Sequence, residues 1–320
     1  MSHRSARPPG SIPIVSIDPT DASARTEALT LLAASAPPED REAYLTETSR
    51  MVLEDPSLVH LAVARDGSQL TACSMAMRQP GCLGVVWPPV AAAPRALDDR
   101  LDEVMRGLLR ASRDWLADRG TVMAQVILPA VDEHQRRQLE AERFFHLADL
   151  LYLGCPAERF PAAEPILPMA FSPYCAEMHD RFARVVDATY EGTRDCPQLN
   201  GVRAIDDVLA GYRASGVFRP ELWSLFQHGE HDVGCLFLAD HPRHGNVELV
   251  YMGLLPQWRG RGWGASIVRQ AQWVARRLQR ERLVLAVDAE NRPAIDAYAA
   301  CGFEAWDRRT VYACRFSSER

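Results

Sequence analysis

Three glycines and two arginines lie close together between an apolar segment and a segment with helical periodicity. They are Arg259, Gly260, Arg261, Gly262 and Gly264. Glycine lets the backbone turn tightly and approach a ligand closely. The first turn of a helix offers unpaired N–H groups and the positive end of the helix dipole to an anion. The sequence therefore predicts a pyrophosphate-binding turn between a strand and a helix.

The spacing of these glycines bears on which ligand the turn would bind. A dinucleotide-binding turn has the pattern Gly-x-Gly-x-x-Gly and an acidic residue near the end of the next strand. Asp288 ends the next predicted strand, but glycines at positions 260, 262 and 264 have a different spacing. The register of the glycines in this loop therefore argues against binding of a dinucleotide. The alternative is a turn that only connects a strand with a helix.

Two motifs resemble those of the GNAT superfamily of acetyltransferases. Arg259-x-x-Gly262-x-Gly264 is similar to the superfamily motif Gln/Arg-x-x-Gly-x-Gly/Ala. About 30 residues later, an Asn followed after seven residues by Tyr, and then by Gly-Phe, is similar to its usual helix and closing strand. The resemblance extends over residues 247–316. The residues of the second motif are Asn291, Tyr298, Gly302 and Phe303.

The resemblance implies acetyl-CoA as the acyl donor and no metal ion. In the superfamily, the glycine-rich loop binds the pyrophosphate and the preceding strand pairs with the pantetheine arm. A bulged strand with free N–H and C=O groups can pair with such an arm as with another strand. The implied coenzyme-binding residues are Met252, Gly253, Leu254, Arg259, Gly260, Arg261, Gly262, Trp263, Gly264, Ala265 and Asn291.

The resemblance also implies two catalytic residues. Tyr298 lies two helical turns after Asn291, so both face one side of the helix, and it would protonate the leaving thiolate. Glu248 lies five residues before Gly253 and would take the proton of the attacking amine. Alternatively, Tyr298 packs in the core, and Glu248 binds the amine without taking its proton or is an exposed strand residue.

Other polar residues are candidates for the acceptor pocket. Five lie in the helical and loop region where GNAT domains build that pocket, although a surface loop is an equal alternative. Two pairs of histidines have ligand-like spacing but lie in turns with glycine or proline, which favours loop residues. These residues are Tyr190, Thr193, Arg194, Asp195 and Gln198, and the pairs His228–His231 and His241–His244.

The domain organisation follows from prolines and an internal repeat. Four prolines at positions 156, 161, 165 and 168 disfavour a helix or a strand in this segment. Aligning Phe144 with Phe303 also aligns Cys155 with Cys314, so two similar halves are expected. We predict a disordered leader at 1–11, a degenerate GNAT-like domain at 12–155, a linker at 156–168 and a catalytic domain at 169–320.

The predicted elements alternate between strands and helices in both halves. The expected fold is α/β (α+β): two tandem GNAT-like domains, each a mixed, mainly antiparallel twisted sheet flanked by helices. This arrangement resembles that of the mycothiol synthases. Strands are predicted at 58–65, 69–78, 83–87, 122–128, 144–155, 222–227, 233–239, 247–255, 283–287 and 303–316, and helices at 97–116, 132–142, 263–279 and 291–300.

The first half lacks the features that bind the coenzyme. In the repeat, Asn291 corresponds to Asp132 and Tyr298 to Leu139, and the region of the turn contains Pro88, Pro89 and Pro94 but no glycine. Prolines have no N–H donor. We therefore expect that the first domain has lost catalysis and its cofactor, and that it braces the second domain or shapes the acceptor cleft between the two.

Composition excludes several classes of protein. The 320 residues carry 36 basic and 42 acidic side chains, a net charge of −6, which opposes binding to nucleic acid or to an anionic membrane. The sequence contains no lysine, which excludes Walker A and Schiff-base enzymes. The eight cysteines form no zinc pattern. We expect a cytoplasmic protein, and the sequence leaves its oligomeric state open.

These observations predict an N-acetyltransferase that moves an acetyl group from acetyl-CoA to a primary amine, by direct attack in a ternary complex. The acceptor is expected to be a small molecule. The alternatives are a non-catalytic acyl-CoA-binding or regulatory module, and a transferase that uses another acyl-CoA.

Overall fold

The computed structural model describes residues 12–92 and 99–316. The chain forms two compact units. Among the described residues, the first consists of 12–92, 99–146 and 312–316, and the second of 147–311. The leader predicted at 1–11 lies outside the described residues.

The first unit contains a sheet in the order β1-β2-β3-β4-β5. As predicted, its second and third strands form a hairpin around Asp66 and Gly67, and Gly67 has a φ of +61°. Its elements are β1 Ile14–Ile17, α1 Ala22–Ala33, α2 Arg41–Glu54, β2 Val59–Asp66, β3 Gln69–Gln79, β4 Leu83–Ala91, α3 Asp99–Ala117, β5 Met123–Leu128 and α4 Glu133–Ala141.

The prediction that β4 stops at Pro88-Pro89 is wrong, because the strand continues to Ala91. The pairing with β3 shifts register at this point: Met75 pairs with Trp87, and Cys73 pairs with Val90. The two prolines fall within the irregularity, where the ladder does not need the N–H groups that they lack.

The second unit contains a sheet in the order β12-β6-β11-β10-β9-β8-β7. Its elements are β6 Phe145–Pro156, β7 Ala170–Pro173, α5 His179–Thr189, α6 Ile205–Arg213, β8 Trp223–His228, β9 His231–His241, β10 Asn246–Leu254, α7 Trp263–Arg277, β11 Arg282–Asp288, α8 Arg292–Ala299 and β12 Glu304–Arg315.

The two units do not divide at the proline-rich segment. Strand β6 pairs with β11, with Cys155 opposite Leu283, so residues 147–156 belong to the second unit. Tyr312 and Cys314 pack in the core of the first unit with Phe144. The sequence assigned each closing strand to its own half. The structure assigns most of β6 to the second unit and the end of β12 to the first.

Helices cover both faces of the second unit's sheet. On one face, Ile267 and Ala271 of α7 are fully buried against Val247 and Leu283. On the other face, Phe182 of α5 packs in a cluster with Trp223 and Phe237. Burial of a large apolar side chain contributes about 1.5–3 kcal/mol, so these two layers hold the central strands firmly in place.

The central strands of the second unit separate partway along their length. Strands β10 and β11 are parallel and pair only at Asn246–Arg282, Val247–Leu283 and Glu248–Val284. Beyond this point β10 has an irregularity between Leu249 and Tyr251. The strands therefore form a fork that opens after Glu248. Along 12–92 and 99–316, no helix is both long and apolar enough to cross a bilayer.

Candidate active site

A cavity of about 490 Å³ lies at the fork between β10 and β11. Its wall comes from four parts of the second unit: the far half of β10 with the following turn, the end of β11, the loop after α5, and α8 with the residue before it. Seven of the predicted coenzyme-binding and catalytic residues line it, namely Met252, Gly253, Leu254, Arg259, Gly260, Asn291 and Tyr298.

The edge of β10 that faces this cavity is not paired with β11 in the described part of the chain. Residues 249–254 pair with β9 on one side, with Met252 opposite Leu236 and Gly253 opposite Cys235. Their register with β11 has already ended at Glu248. An extended chain with amide groups, such as a pantetheine arm, could pair with this edge as another strand would.

The glycine-rich turn leads directly into α7. Gly260 and Gly262 have φ values of +74° and +75°, a conformation that side chains rarely adopt. No side chain of a described residue caps the first N–H groups of the helix, so they are available to an anion. Five predicted residues form this turn and the first turn of α7, not the wall of the cavity: Arg261, Gly262, Trp263, Gly264 and Ala265.

The two arginines of the turn have different surroundings. The Arg259 guanidinium donates hydrogen bonds to the carbonyl oxygens of Leu254 at 2.9 Å, Thr189 at 2.8 Å and Glu191 at 2.8 Å. Arg259 thus fastens the loop after α5 to the end of β10. The Arg261 guanidinium lies over the Trp258 ring, 4.8 Å from its centroid.

Tyr298 is buried at the inner wall of the cavity and is only 6% exposed. Its ring contacts Phe303, with centroids 5.6 Å apart. Burial, and then the nearby Asp195 carboxylate, raises the pKa of Tyr298 well above its usual value. The hydroxyl therefore keeps its proton at neutral pH and can donate it.

Asp195 is part of the cavity wall, although the sequence indicated only a position in a loop. It lines the cavity, its carboxylate accepts a hydrogen bond from the Asp288 N–H at 2.9 Å, and the Asn291 side chain also bonds it. Burial raises the pKa of Asp195. Sequence reasoning treated Asp195 only as a specificity candidate, because nothing local connects it with residues more than 90 positions away.

Thr189 is a wall residue that sequence reasoning missed. Its hydroxyl hydrogen-bonds that of Tyr251 at 2.7 Å. A Cβ added to Gly253 would lie 2.6 Å from the Thr189 Oγ1. Gly253 is therefore required by packing against the end of α5, a contact without a local sequence signal.

Glu248 lines a second cavity, of about 350 Å³, also within the second unit. Ala286 of β11 lines both cavities. The His241 Nε2–H donates to the Glu248 Oε2 at 2.9 Å. The residues around the second cavity are Tyr152, His241, His244, Asn246, Glu248, Val284, Leu285, Ala286 and Trp306.

The predicted acceptor candidates and the two histidine pairs lie in three places: the wall of the first cavity, the wall of the second cavity, and outside both. Thr193, Arg194 and Asp195 line the first cavity. Tyr190 does not line it and hydrogen-bonds the Tyr212 hydroxyl at 2.8 Å. Gln198 is absent from both walls, as are His228 and His231. His241 and His244, interpreted from the sequence as loop residues, line the second cavity.

The first unit has a smaller counterpart of this site, a cavity of about 180 Å³. Asp132 and Leu139, the repeat counterparts of Asn291 and Tyr298, both line it, together with Pro88 and Pro89. The parallel ladder of β4 and β5 also has three pairs and ends at Val85–Gln125. Val85 thus occupies the position that Glu248 has in the second unit.

All eight cysteines are free thiols. Within 12–92 and 99–316, no group of three or more His, Cys, Asp or Glu side chains is arranged to hold a metal ion.

Comparison with known sequences supports the resemblance in the second unit. Residues 183–303 match the profile of the acetyltransferase (GNAT) family. A mycothiol acetyltransferase from Pseudarthrobacter chlorophenolicus is 32% identical over 76 residues, 22% of this chain and 24% of that protein. One from Thermobifida fusca is 36% identical over 90 residues, 28% of this chain and 27% of that protein. The matches thus span about a quarter of these relatives.

Comparison with solved structures extends the likeness in fold to nearly the whole chain. A GCN5-related N-acetyltransferase from Sphaerobacter thermophilus has a TM-score of 0.65 at 20% identity, covering 95% of this chain and 97% of that one. A tandem GNAT protein from the clavulanic acid biosynthesis pathway has a TM-score of 0.51 at 12% identity, covering 97% and 100%. The predicted tandem fold is confirmed, and residues 183–303 are similar to the acetyltransferase (GNAT) family.

Proposed function

We propose that this chain is an acetyl-CoA-dependent N-acetyltransferase that acetylates a primary amine of a small molecule in a ternary complex. The observation that carries the proposal is that one residue at the fork, Ala286, lines two cavities. One has a protonated tyrosine and a free strand edge, and the other has a carboxylate. A donor and an acceptor bound on the two sides would meet at the fork.

The residues of the first cavity fit acetyl-CoA. The edge of β10 at 249–254 can bind the amide groups of the pantetheine arm, and the uncapped start of α7 can bind the pyrophosphate. Asn291 would contact the coenzyme from the start of α8. Acetyl-CoA supplies an activated thioester, and attack by an amine forms the amide and releases the thiol.

Two side chains would handle the protons of this reaction. Glu248 would bind the amine and take the proton that it loses on forming the C–N bond. Tyr298 would donate its proton to the sulfur as the C–S bond breaks. The presence of Tyr298, Asn291 and Glu248 in one unit favours an enzyme over a module that only binds acyl-CoA, because such a module would need only the glycine-rich turn.

A screen of diverse primary amines with acetyl-CoA, following release of free thiol, tests this function. The acceptor of the mycothiol acetyltransferases belongs in the screen. We expect amine-dependent thiol release and initial-rate patterns of a ternary complex. Acetyl-CoA binding without thiol release for any amine would favour the non-catalytic module. Faster turnover with a longer acyl-CoA would favour another donor.

A further inference from the structure

The second cavity contains a histidine–carboxylate pair next to an aromatic wall. The Glu248 Oε2 accepts the hydrogen bond from His241, while its Oε1 accepts none from the described part of the chain. The Glu248 side chain is 35% exposed and that of His241 is 23% exposed. One carboxylate oxygen is therefore held by the protein and the other remains available to a ligand.

The His241 ring is held in this position by close packing. A Cβ added to Gly216 would lie 2.9 Å from the His241 Cε1, so only a glycine leaves room for the imidazole. Asn246 lies opposite His241 in the β9–β10 ladder. Its buried Oδ1 has no hydrogen-bond partner among the described residues. An acceptor atom in this state indicates that a donor group of a ligand or water belongs beside it.

The opposite wall is aromatic. The Tyr152 and Trp306 rings meet edge to face with centroids 5.6 Å apart, and Trp306 is 65% exposed. The Trp306 ring lies beside Gly154 of β6, where an added Cβ would make an ordinary van der Waals contact with it at 3.5 Å. An exposed indole beside a carboxylate suits a cation carried on an apolar or aromatic group.

Building on the proposed function, we propose that His241 positions Glu248 and sets the charge of this pocket, so that a cationic amine binds when His241 is neutral. A neutral His241 leaves one net negative charge on the pair, and a protonated His241 cancels it. His241 is thus a positioning and specificity residue for the acceptor, while Glu248 contacts the amine.

The charged and titratable groups around His241 are consistent with this role. Glu248 faces it from β10, Asp240 adjoins it on β9, and the His244 ring lies 6.5 Å away between centroids. Asp240 is itself paired with Arg280 at 2.7 Å. The hydrogen bond to Glu248 holds the pKa of His241 above its usual range, against the effect of burial.

The test uses the full chain without acetyl-CoA. The probe is 2-phenylethylamine, and 2-phenylethanol is its neutral counterpart. NMR titration of the His241 imidazole should give a pKa that falls in Glu248→Gln and in the presence of the amine, but not with the alcohol. Amine affinity should be about tenfold or more weaker at pH 5.5 than at pH 8, given an ordinary histidine pKa of about 6.5.

Two variants complete the test. His241→Gln retains a donor near the Nε2 position but cannot gain charge, so amine affinity should become independent of pH between 5.5 and 8. His244→Gln, which alters the same cavity without touching Glu248, should retain the pH dependence. Failure of the amine to bind, an affinity independent of pH in the wild type, or an unmoved His241 pKa would overturn the inference. Because no acetyl-CoA is present, absence of acetyl transfer would count only against the proposed function.

Discussion

Glu248 and Val284 form the last pair of the parallel ladder between β10 and β11 before the strands separate. The Glu248 carboxylate lies in the cavity on one side of the fork, and the β10 residues that follow line the cavity on the other side. The end of a short ladder thus brings an acid–base side chain next to a free strand edge.

Replacing Glu248 with Gln tests this arrangement. The amide keeps the volume but cannot take a proton or hold a cation by charge. We expect kcat/KM for the amine to fall about 10²–10⁴-fold, with acetyl-CoA affinity unchanged. A raised acceptor KM with an unaltered kcat would assign Glu248 to amine binding alone, and an altered acidic limb of the kcat–pH profile would assign it as the base. Wild-type values of kcat and of the acceptor KM, together with a wild-type kcat–pH profile, would exclude Glu248 from the site.

Tyr298→Phe tests the donor side of the fork. The ring and most of its packing against Phe303 remain, but the proton is lost. The expected result is a fall in kcat of about 10²–10⁴-fold with nearly unchanged acetyl-CoA affinity by calorimetry. Tyr44→Phe is a control, because Tyr44 is another tyrosine whose burial raises its pKa, to about 12, but it lies in the first unit. A Tyr298→Phe enzyme at the wild-type rate, with chemistry limiting, would contradict the role of this residue.

Gly262→Val tests the pyrophosphate-binding turn. Gly262 has a φ of +75° and no atom within 4 Å of an added Cβ, so a side chain would project into open space before α7. We expect acetyl-CoA affinity to fall about 10–100-fold, the cost of one or two charge-assisted hydrogen bonds.

Gly229→Val is the matched control for this prediction. Gly229 has a φ of +61° and equally open surroundings, but it lies in the β8–β9 turn. Both variants should lose similar stability from the strained backbone. Equal loss of acetyl-CoA affinity in the two variants would show that the effect of Gly262 is one of stability.

Local spacing predicted the parts of the site that lie within one continuous segment. The turn at 259–264 and the Asn291–Tyr298 helix carry their signal in neighbouring residues. Thr189 and Asp195 carry no such signal, because they reach the cavity through the packing of α5 and its loop, about 60 to 100 residues away in sequence. The amphipathic pattern of α5 shows that it packs on the sheet, but not on which strands.

The division of the chain into units was predicted incorrectly for a physical reason. The segments starting at Phe144 and Phe303 have the same apolar pattern, so a sequence cannot distinguish which sheet each one joins. In the structure β6 pairs with β11, with a register that runs from Leu150–Asp288 to Pro156–Arg282. Hydrogen-bonding partners of strands with equal patterns depend on long-range packing.

His60 in the first unit predicts a loss of stability in acid. The ring is 5% exposed, stacks on Trp115 at 5.2 Å and hydrogen-bonds the Ser16 hydroxyl at 2.8 Å. Burial, with a contribution from Arg119, lowers the pKa of His60 to about 4. Between about pH 6.5 and pH 4, His60 is protonated in the unfolded chain but stays neutral in the folded chain. Stability should therefore fall by about 3 kcal/mol as pH drops from 6.5 to 4.

Chemical denaturation at pH 4.5 and pH 7 measures this effect. His60→Gln should reduce the pH dependence of the free energy of unfolding, while His146→Gln, at an exposed position of the same unit, should leave it unchanged. An identical pH dependence in wild type and His60→Gln would show that other groups govern the acid transition.

The stoichiometry of acetyl-CoA binding tests whether the first unit has lost its site. At the positions of Glu248, Asn291 and Tyr298, the first unit has Val85, Asp132 and Leu139. Its cavity is about 180 Å³, compared with about 490 Å³ in the second unit, and Pro88 and Pro89 remove two N–H donors from its strand edge. We expect calorimetry to give one acetyl-CoA per chain. Gly262→Val should weaken that single site, whereas Pro88→Ala should leave both affinity and stoichiometry unchanged. Two equivalent sites, or one that survives Gly262→Val at full affinity, would show that the first unit binds the coenzyme.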